Sequence, residues 1–70
     1  MSTEINIRLN GEPYGVPKNS SLEHLVEALN LGNERFAIEV NMDIIPRSEH
    51  ASYRLQSDDQ VEIVQAIGGG

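Results

Sequence analysis

QVEIVQAIGGG, residues 60–70, holds the strand around which the fold must be arranged and the run that raises the question of function. In QVEIVQAI, Val61 and Ile63 alternate with Glu62 and Val64. That is the period of a strand with one buried face, so Val61 and Ile63 point inward and Glu62 and Val64 outward. The other strong alternation lies at the opposite end of the chain. In INIRL, residues 5–9, Ile5, Ile7 and Leu9 share one face and Asn6 and Arg8 the other. The first and last strands are therefore expected side by side at the centre of one sheet.

Between them the elements follow from local chemistry. Asn10-Gly11 is a hairpin signal, because both residues tolerate positive φ. EPYGV returns as a strand, which Pro13 confines to an edge because it has no N–H to donate, and Pro17 ends it. In SSLEHLVEALN, residues 20–30, Leu22, Leu25, Val26 and Leu29 form one apolar helical stripe, with Glu23, His24 and Glu27 facing away. Ser20 and Glu23 have the spacing of a capping box, and Asn30 and Gly32 are candidate stops. In RFAIEV, Phe36, Ile38 and Val40 point inward and Ala37 and Glu39 outward. A turn at Asn41, Met42 and Asp43 leads into a short returning strand that stops at Pro46. Residues 46–55 read as irregular, with one helical turn and a brief strand from Tyr53 to Leu55. Ser57, Asp58 and Asp59 form a turn. One helix on one face of a mixed sheet of about five strands is an α+β layer architecture, the β-grasp arrangement of ubiquitin-like domains.

Composition bounds the function. Seventy residues make one domain at most, and a chain of that size buries only about 60% of its unfolded surface. Residues 1–10 are polar and lack an apolar h-region, so no signal peptide is expected. No apolar run approaches the roughly 20 residues of a membrane helix, so no membrane partner is expected. Cysteine is absent, which excludes disulfides and thiolate metal sites and fits a cytoplasmic setting. The formal charge of -6, with Lys18 the single lysine, argues against nucleic acid, whose binding rests on neutralised phosphates.

Few residues carry chemistry. His24, on the polar helix face, and His50, in a polar loop, read as ordinary surface residues and make a poor metal pair. Asp58 and Asp59 fall short of a calcium ligand set. NGEPYG, residues 10–15, has no phosphate-loop spacing. Ser48, Glu49 and His50 spell a triad, but sequence neighbours rarely aim at one point. No metal site and no catalytic residue is expected.

The terminal glycines stand apart. Glycine is costly to order and has no side chain to pack. At an average usage of about 7%, three in a row at one chosen place arise by chance roughly three times in ten thousand. Either the tail is inert, or its carboxylate works. An α-carboxylate is anionic at neutral pH and a poor electrophile, so using it requires activation, most simply as an acyl-adenylate. Glycine then suits a narrow slot in a partner enzyme, since no Cβ blocks close approach.

Seven pieces of the sequence stand in a telling order: Asn10-Gly11-Glu12, Pro17, SSLEHLVEALNL (residues 20–31), Val40-Asn41, PRSE (46–49), DDQVEIV (58–64) and AIGGG (66–70). As an ordered set spanning the whole chain they resemble the ThiS family, the sulfur carriers of thiamine biosynthesis. The resemblance implies a β-grasp domain over residues 1–67 and a flexible glycine tail, residues 68–70. It implies that Gly70 is adenylated by a ThiF-type adenylyltransferase and converted to a thiocarboxylate, Gly68 and Gly69 entering the partner's active site. The partners implied are that enzyme, an upstream sulfur-donor enzyme and thiazole synthase. The carrier binds no cofactor itself; ATP is used by the partner, and the carrier is not an enzyme. Met42 departs from the family, many members of which have glycine there, and this argues against a tight I′ turn. Without cysteine, such a carrier has to hold sulfur on its C-terminus.

By strand alternation, Val64, Ala66 and Ile67, with Ala37 on the neighbouring strand, form an apolar contact strip leading to the tail. Two other readings stay open. One is a related β-grasp carrier, such as a molybdopterin-synthase small subunit or a ubiquitin-like modifier. The other is an interaction module with an inert tail.

Overall fold

Along the chain run β1 (Glu4–Leu9), β2 (Glu12–Pro17), α1 (Leu22–Ala28), β3 (Phe36–Val40), β4 (Asp43–Ile45), a 3-10 turn at Arg47–Glu49, and β5 (Gln60–Gln65). The computed structural model describes residues 3–31 and 35–65. Gly32 and residues 66–70, the tail included, lie outside the described residues. The strands form one mixed sheet in the order β2-β1-β5-β3-β4. β1 and β5 run parallel, while the β1–β2, β3–β4 and β3–β5 pairs are antiparallel. The last strand thus enters between two hairpins made earlier in the chain, and the first strand lies beside it as its alternation implied.

The helix packs on one face. Ile7, Val16, Leu22, Leu25, Val26, Ile38, Val40, Leu55 and Val61 are buried, and Leu29, Phe36 and Ile63 pack around them. The other face, with Arg8, Ala37, Ile44, Glu62 and Val64, is exposed. Both edges resist strand addition. β2 closes its hairpin at Leu9 and Glu12. The antiparallel ladder then turns the backbones of Pro13, Gly15 and Pro17 outward, and the prolines offer no N–H. β4 has three residues and stops before Pro46.

Both hairpins turn through two residues of positive φ, Asn10 (51°) with Gly11 (86°), and Asn41 (51°) with Met42 (76°). A tight I′ turn therefore forms despite Met42. The register of Val40 on Asp43 leaves no third loop residue to relieve it, so the methionine is held left-handed and its side chain is 89% exposed.

The helix start also differs from expectation. The N-cap is Ser21, not Ser20: Ser21 Oγ accepts from the His24 N–H at 3.1 Å, and the Ser21 N–H donates to His24 Nδ1 at 3.2 Å. Ser20 is engaged elsewhere, its hydroxyl donating to the Pro17 carbonyl at 2.6 Å and its own carbonyl accepting from the Leu55 N–H at 2.8 Å. The first helical donors are met from a distant loop. The Leu22 N–H reaches the Tyr53 carbonyl and the Glu23 N–H the His50 carbonyl, each at 3.1 Å. The brief strand expected from Tyr53 to Leu55 is reduced to one bridge, Ser21 with Arg54. The loop's backbone serves the helix end instead of a sheet. Asn30, at φ 60°, ends α1; its N–H reaches the Glu27 carbonyl and the Leu31 N–H the Val26 carbonyl, a Schellman pair.

Replacing Leu25, which is 1% exposed, by alanine is expected to cost about 2–5 kcal/mol, read as a lowered denaturation midpoint. Met42→Gly is expected to act in the opposite direction, raising stability by about 1 kcal/mol in the same assay, because glycine removes the left-handed penalty.

Candidate functional site

The candidate site is the end of β5 and the sheet face around it. Where β1 stops at Leu9, turn side chains continue the ladder. The Asn10 N–H donates to the Val61 carbonyl at 2.8 Å, and Asn10 Oδ1 accepts from the Ile63 N–H at 2.9 Å. On the β3 side the Asn41 N–H donates to the Gln60 carbonyl at 2.8 Å, and Asn41 Oδ1 accepts from the Gln60 N–H at 3.0 Å. The two turn asparagines thus grip the central strand from opposite sides. A left-handed asparagine can both make the turn and aim its amide at a neighbouring strand, which glycine cannot do.

Asp59 holds the start of the same strand. It is 8% exposed; one carboxylate oxygen accepts from Asn41 Nδ2 at 3.1 Å and the other from the Gln56 N–H at 2.8 Å. In the sequence, Asn10, Asn41 and Asp59 read as turn residues only. The signal was the recurrence of Asn at the first position of both hairpin turns, but its partners are distant in sequence.

Among the proposed contact residues, Ala37 and Val64 are direct register partners on the exposed face, and Val64 is 58% exposed. Ala66, Ile67, Gly68, Gly69 and Gly70 lie outside the described residues. One row from Ala37 and Val64, Glu39 faces Glu62, and Ile44, 68% exposed, lies beside Glu39 on β4.

His50 is not a surface residue. It is 7% exposed, its Nε2 lies 3.0 Å from the Ile45 carbonyl, and its ring stacks on Phe36 with centroids 6.2 Å apart. The Arg47 guanidinium covers that same Phe36 ring at 4.6 Å. The imidazole is occupied in anchoring the loop that caps the helix, while Ser48 and Glu49 are exposed; the three do not act as a triad. Tyr53 has its phenol held above the ordinary value, by burial first and then by the Asp59 and Asp43 carboxylates. It stays protonated at neutral pH and is no nucleophile. Among the described residues, no three His, Asp or Glu side chains converge on a metal-sized point, and no helix is long and apolar enough to cross a membrane.

Comparison with known proteins covers nearly the whole chain. Residues 7–70 match the ThiS family. The chain belongs to that family. Its sequence is 39% identical over 66 residues to a thiazole synthase of Magnetococcus marinus, covering 94% of this chain but only 20% of that protein's length. It is 27% identical over 66 residues to the sulfur carrier protein ThiS of Escherichia coli, covering 94% of this chain and all of that one. The crystal structure of the thiamine biosynthesis protein ThiS from Geobacter metallireducens superposes with a TM-score of 0.80 at 25% identity, over 94% of this chain and 100% of that one. The fold is the β-grasp of this ThiS structure, as the element order implied.

Asn10→Gly keeps the left-handed turn and removes the bond to Ile63. It is expected to cost about 1 kcal/mol in a denaturant melt. Amide hydrogen exchange is expected to speed up at Ile63 more than at Ile7.

Proposed function

We propose that this ThiS-family chain is a cytoplasmic sulfur carrier that holds its cargo on the carboxylate of Gly70. The observation that carries the reading is the family match running through residue 70, together with a glycine run placed just after the central strand.

The chemistry is that of acyl activation. The Gly70 carboxylate attacks the α-phosphorus of ATP in a ThiF-type adenylyltransferase; pyrophosphate leaves and an acyl-adenylate forms. A hydrosulfide equivalent from an upstream sulfur donor then attacks the acyl carbon. AMP leaves with its electron pair, a proton is released, and a thiocarboxylate remains. Thiazole synthase takes the sulfur from that group. The domain supplies no acid, base or nucleophile to these steps. Its contribution is a central strand, held on both sides and ending at Gln65, which the run of Gly68, Gly69 and Gly70 follows in the sequence after Ala66 and Ile67, with Val64 and Ala37 as apolar contact residues on the exposed sheet face. ATP is the partner's cofactor, not the carrier's. Relatedness to a thiazole synthase favours thiazole formation over the molybdopterin branch of β-grasp carriers.

Deleting Gly70 shortens the reach by about 3.5 Å. A misplacement of even about 1 Å can cost about a hundredfold where reacting atoms must align. ATP–pyrophosphate exchange with a ThiF-type partner is therefore expected to collapse for the deletion, and also for Gly70→Ala, which puts a Cβ beside the reacting carboxylate. The described core is built from other residues, so the melting temperature is expected to stay that of the wild type, and Lys18→Arg is expected to be silent in both assays. Wild-type exchange by the truncated chain defeats the carrier reading. Intact mass of the protein from its own cells gives a direct check: one carboxyl oxygen replaced by sulfur.

A further inference from the structure

The exposed sheet face carries a feature that the fold does not explain. Glu39 and Glu62 are direct register partners on adjacent antiparallel strands. Residues so placed have Cα atoms about 4.5–5.5 Å apart, and like charges there destabilise the sheet. No side-chain hydrogen bond or ion pair ties either carboxylate to another described residue. The nearest basic residue in register is Arg8, opposite Gln60 on β1, and its guanidinium donates to the Gly11 carbonyl at 3.2 Å.

The surroundings of the pair are apolar. Of the described residues, the large hydrophobics left exposed are Met42, Ile44 and Val64. Ile44 sits directly beside Glu39, and Val64 lies two residues beyond Glu62 toward the tail. Two carboxylates in register, with exposed aliphatic side chains beside them, make an anionic spot on an otherwise partly apolar sheet face. Pro13 and Pro17 on β2 and the three-residue length of β4 disfavour strand addition at the edges, which leaves the open sheet face available to a partner. Val64 is six residues from Gly70, within about 20 Å of extended chain.

We propose that Glu39 and Glu62 together receive one arginine side chain of the adenylylating partner, with Ile44 and Val64 packing on the apolar surface around it. Charge complementarity selects this occupant. A planar guanidinium carries five donors and can bond two carboxylates at once, whereas an ammonium offers a compact, strongly hydrated charge. The net charge of -6 disfavours a second copy of this chain. The proposal rests on the carrier reading above and adds how the partner recognises the carrier before the tail reacts. The face sets binding and the tail sets chemistry.

The test separates the two by titrating carrier in the ATP–pyrophosphate exchange assay with a ThiF-type adenylyltransferase from the same genome. Glu39→Gln and Glu62→Gln are each expected to raise the apparent KM for carrier about fivefold at low salt, and Glu62→Arg about a hundredfold, with kcat unchanged. Wild-type KM is expected to rise with ionic strength, and that of the double glutamine variant to stay nearly flat. Melting temperatures of the glutamine variants are expected to equal or exceed the wild-type value, since a like-charge contact has gone. Stability and binding thus move in opposite directions, which a merely structural role for the pair would not produce. Wild-type KM and salt dependence in the glutamine variants overturn the proposal and leave the carrier reading intact, as does a rise in KM that comes with a lowered melting temperature. No exchange by the wild-type carrier overturns both.

Discussion

Everything in this structure depends on seating the last strand between two hairpins that precede it. β5 has no local partner, and its ladders run to β1, some fifty residues away, and to β3. The β1 strand is too short to flank β5 along its whole length, and the Asn10 side chain supplies the missing acceptor to the Ile63 N–H. Asn41 does the same at the start of the strand, and Asp59 steadies Asn41 in turn. A strand held this way on both sides is a rigid mount, and the glycine run sits just beyond its end in the sequence. The hydrogen bonds that complete the sheet are therefore also the ones that fix where its last strand ends.

The second constraint is the short helix. At seven residues, α1 is too short to persist alone in water. It survives because its apolar stripe is buried and because its N-terminal donors are answered: by the Tyr53 and His50 carbonyls, and by the capping box of Ser21 with His24. The irregular segment of residues 46–55 is therefore part of the helix's support. Burial of His50 against Phe36 locks that segment to the sheet. In a domain this small, a loop with a structural duty has little freedom to become a catalytic site.

With the helix packed on one face and both edges blunted, the other sheet face stays open to solvent. Its chemistry is uneven, apolar at Ala37, Ile44 and Val64 and anionic at Glu39 and Glu62. Moderate apolar area joined to steering charge favours rapid exchange over permanent association, which suits the carrier role proposed above.

Much of this was legible in the sequence. Period-two alternation marked β1, β3 and β5, the stripe of Leu22, Leu25, Val26 and Leu29 marked the helix, and Asn10-Gly11 marked the first turn, because each signal depends on residues close in the chain. That Ala37 and Val64 share the outward face followed from alternation; that they stand directly opposite each other came from the sheet register. The glycine run and the ordered motifs pointed to the family through their sequence alone. What tertiary structure decided was every choice settled by a distant partner. Ser20 lost the cap to Ser21 because Pro17 and Leu55 engage it, His50 was drawn inward by Phe36 and Ile45, and Met42 was forced left-handed by the register of Val40 on Asp43. The grip of Asn10 on Ile63 and the facing of Glu39 with Glu62 belong to the same class. Local pattern records which face a side chain prefers; only the assembled sheet determines which group stands opposite it.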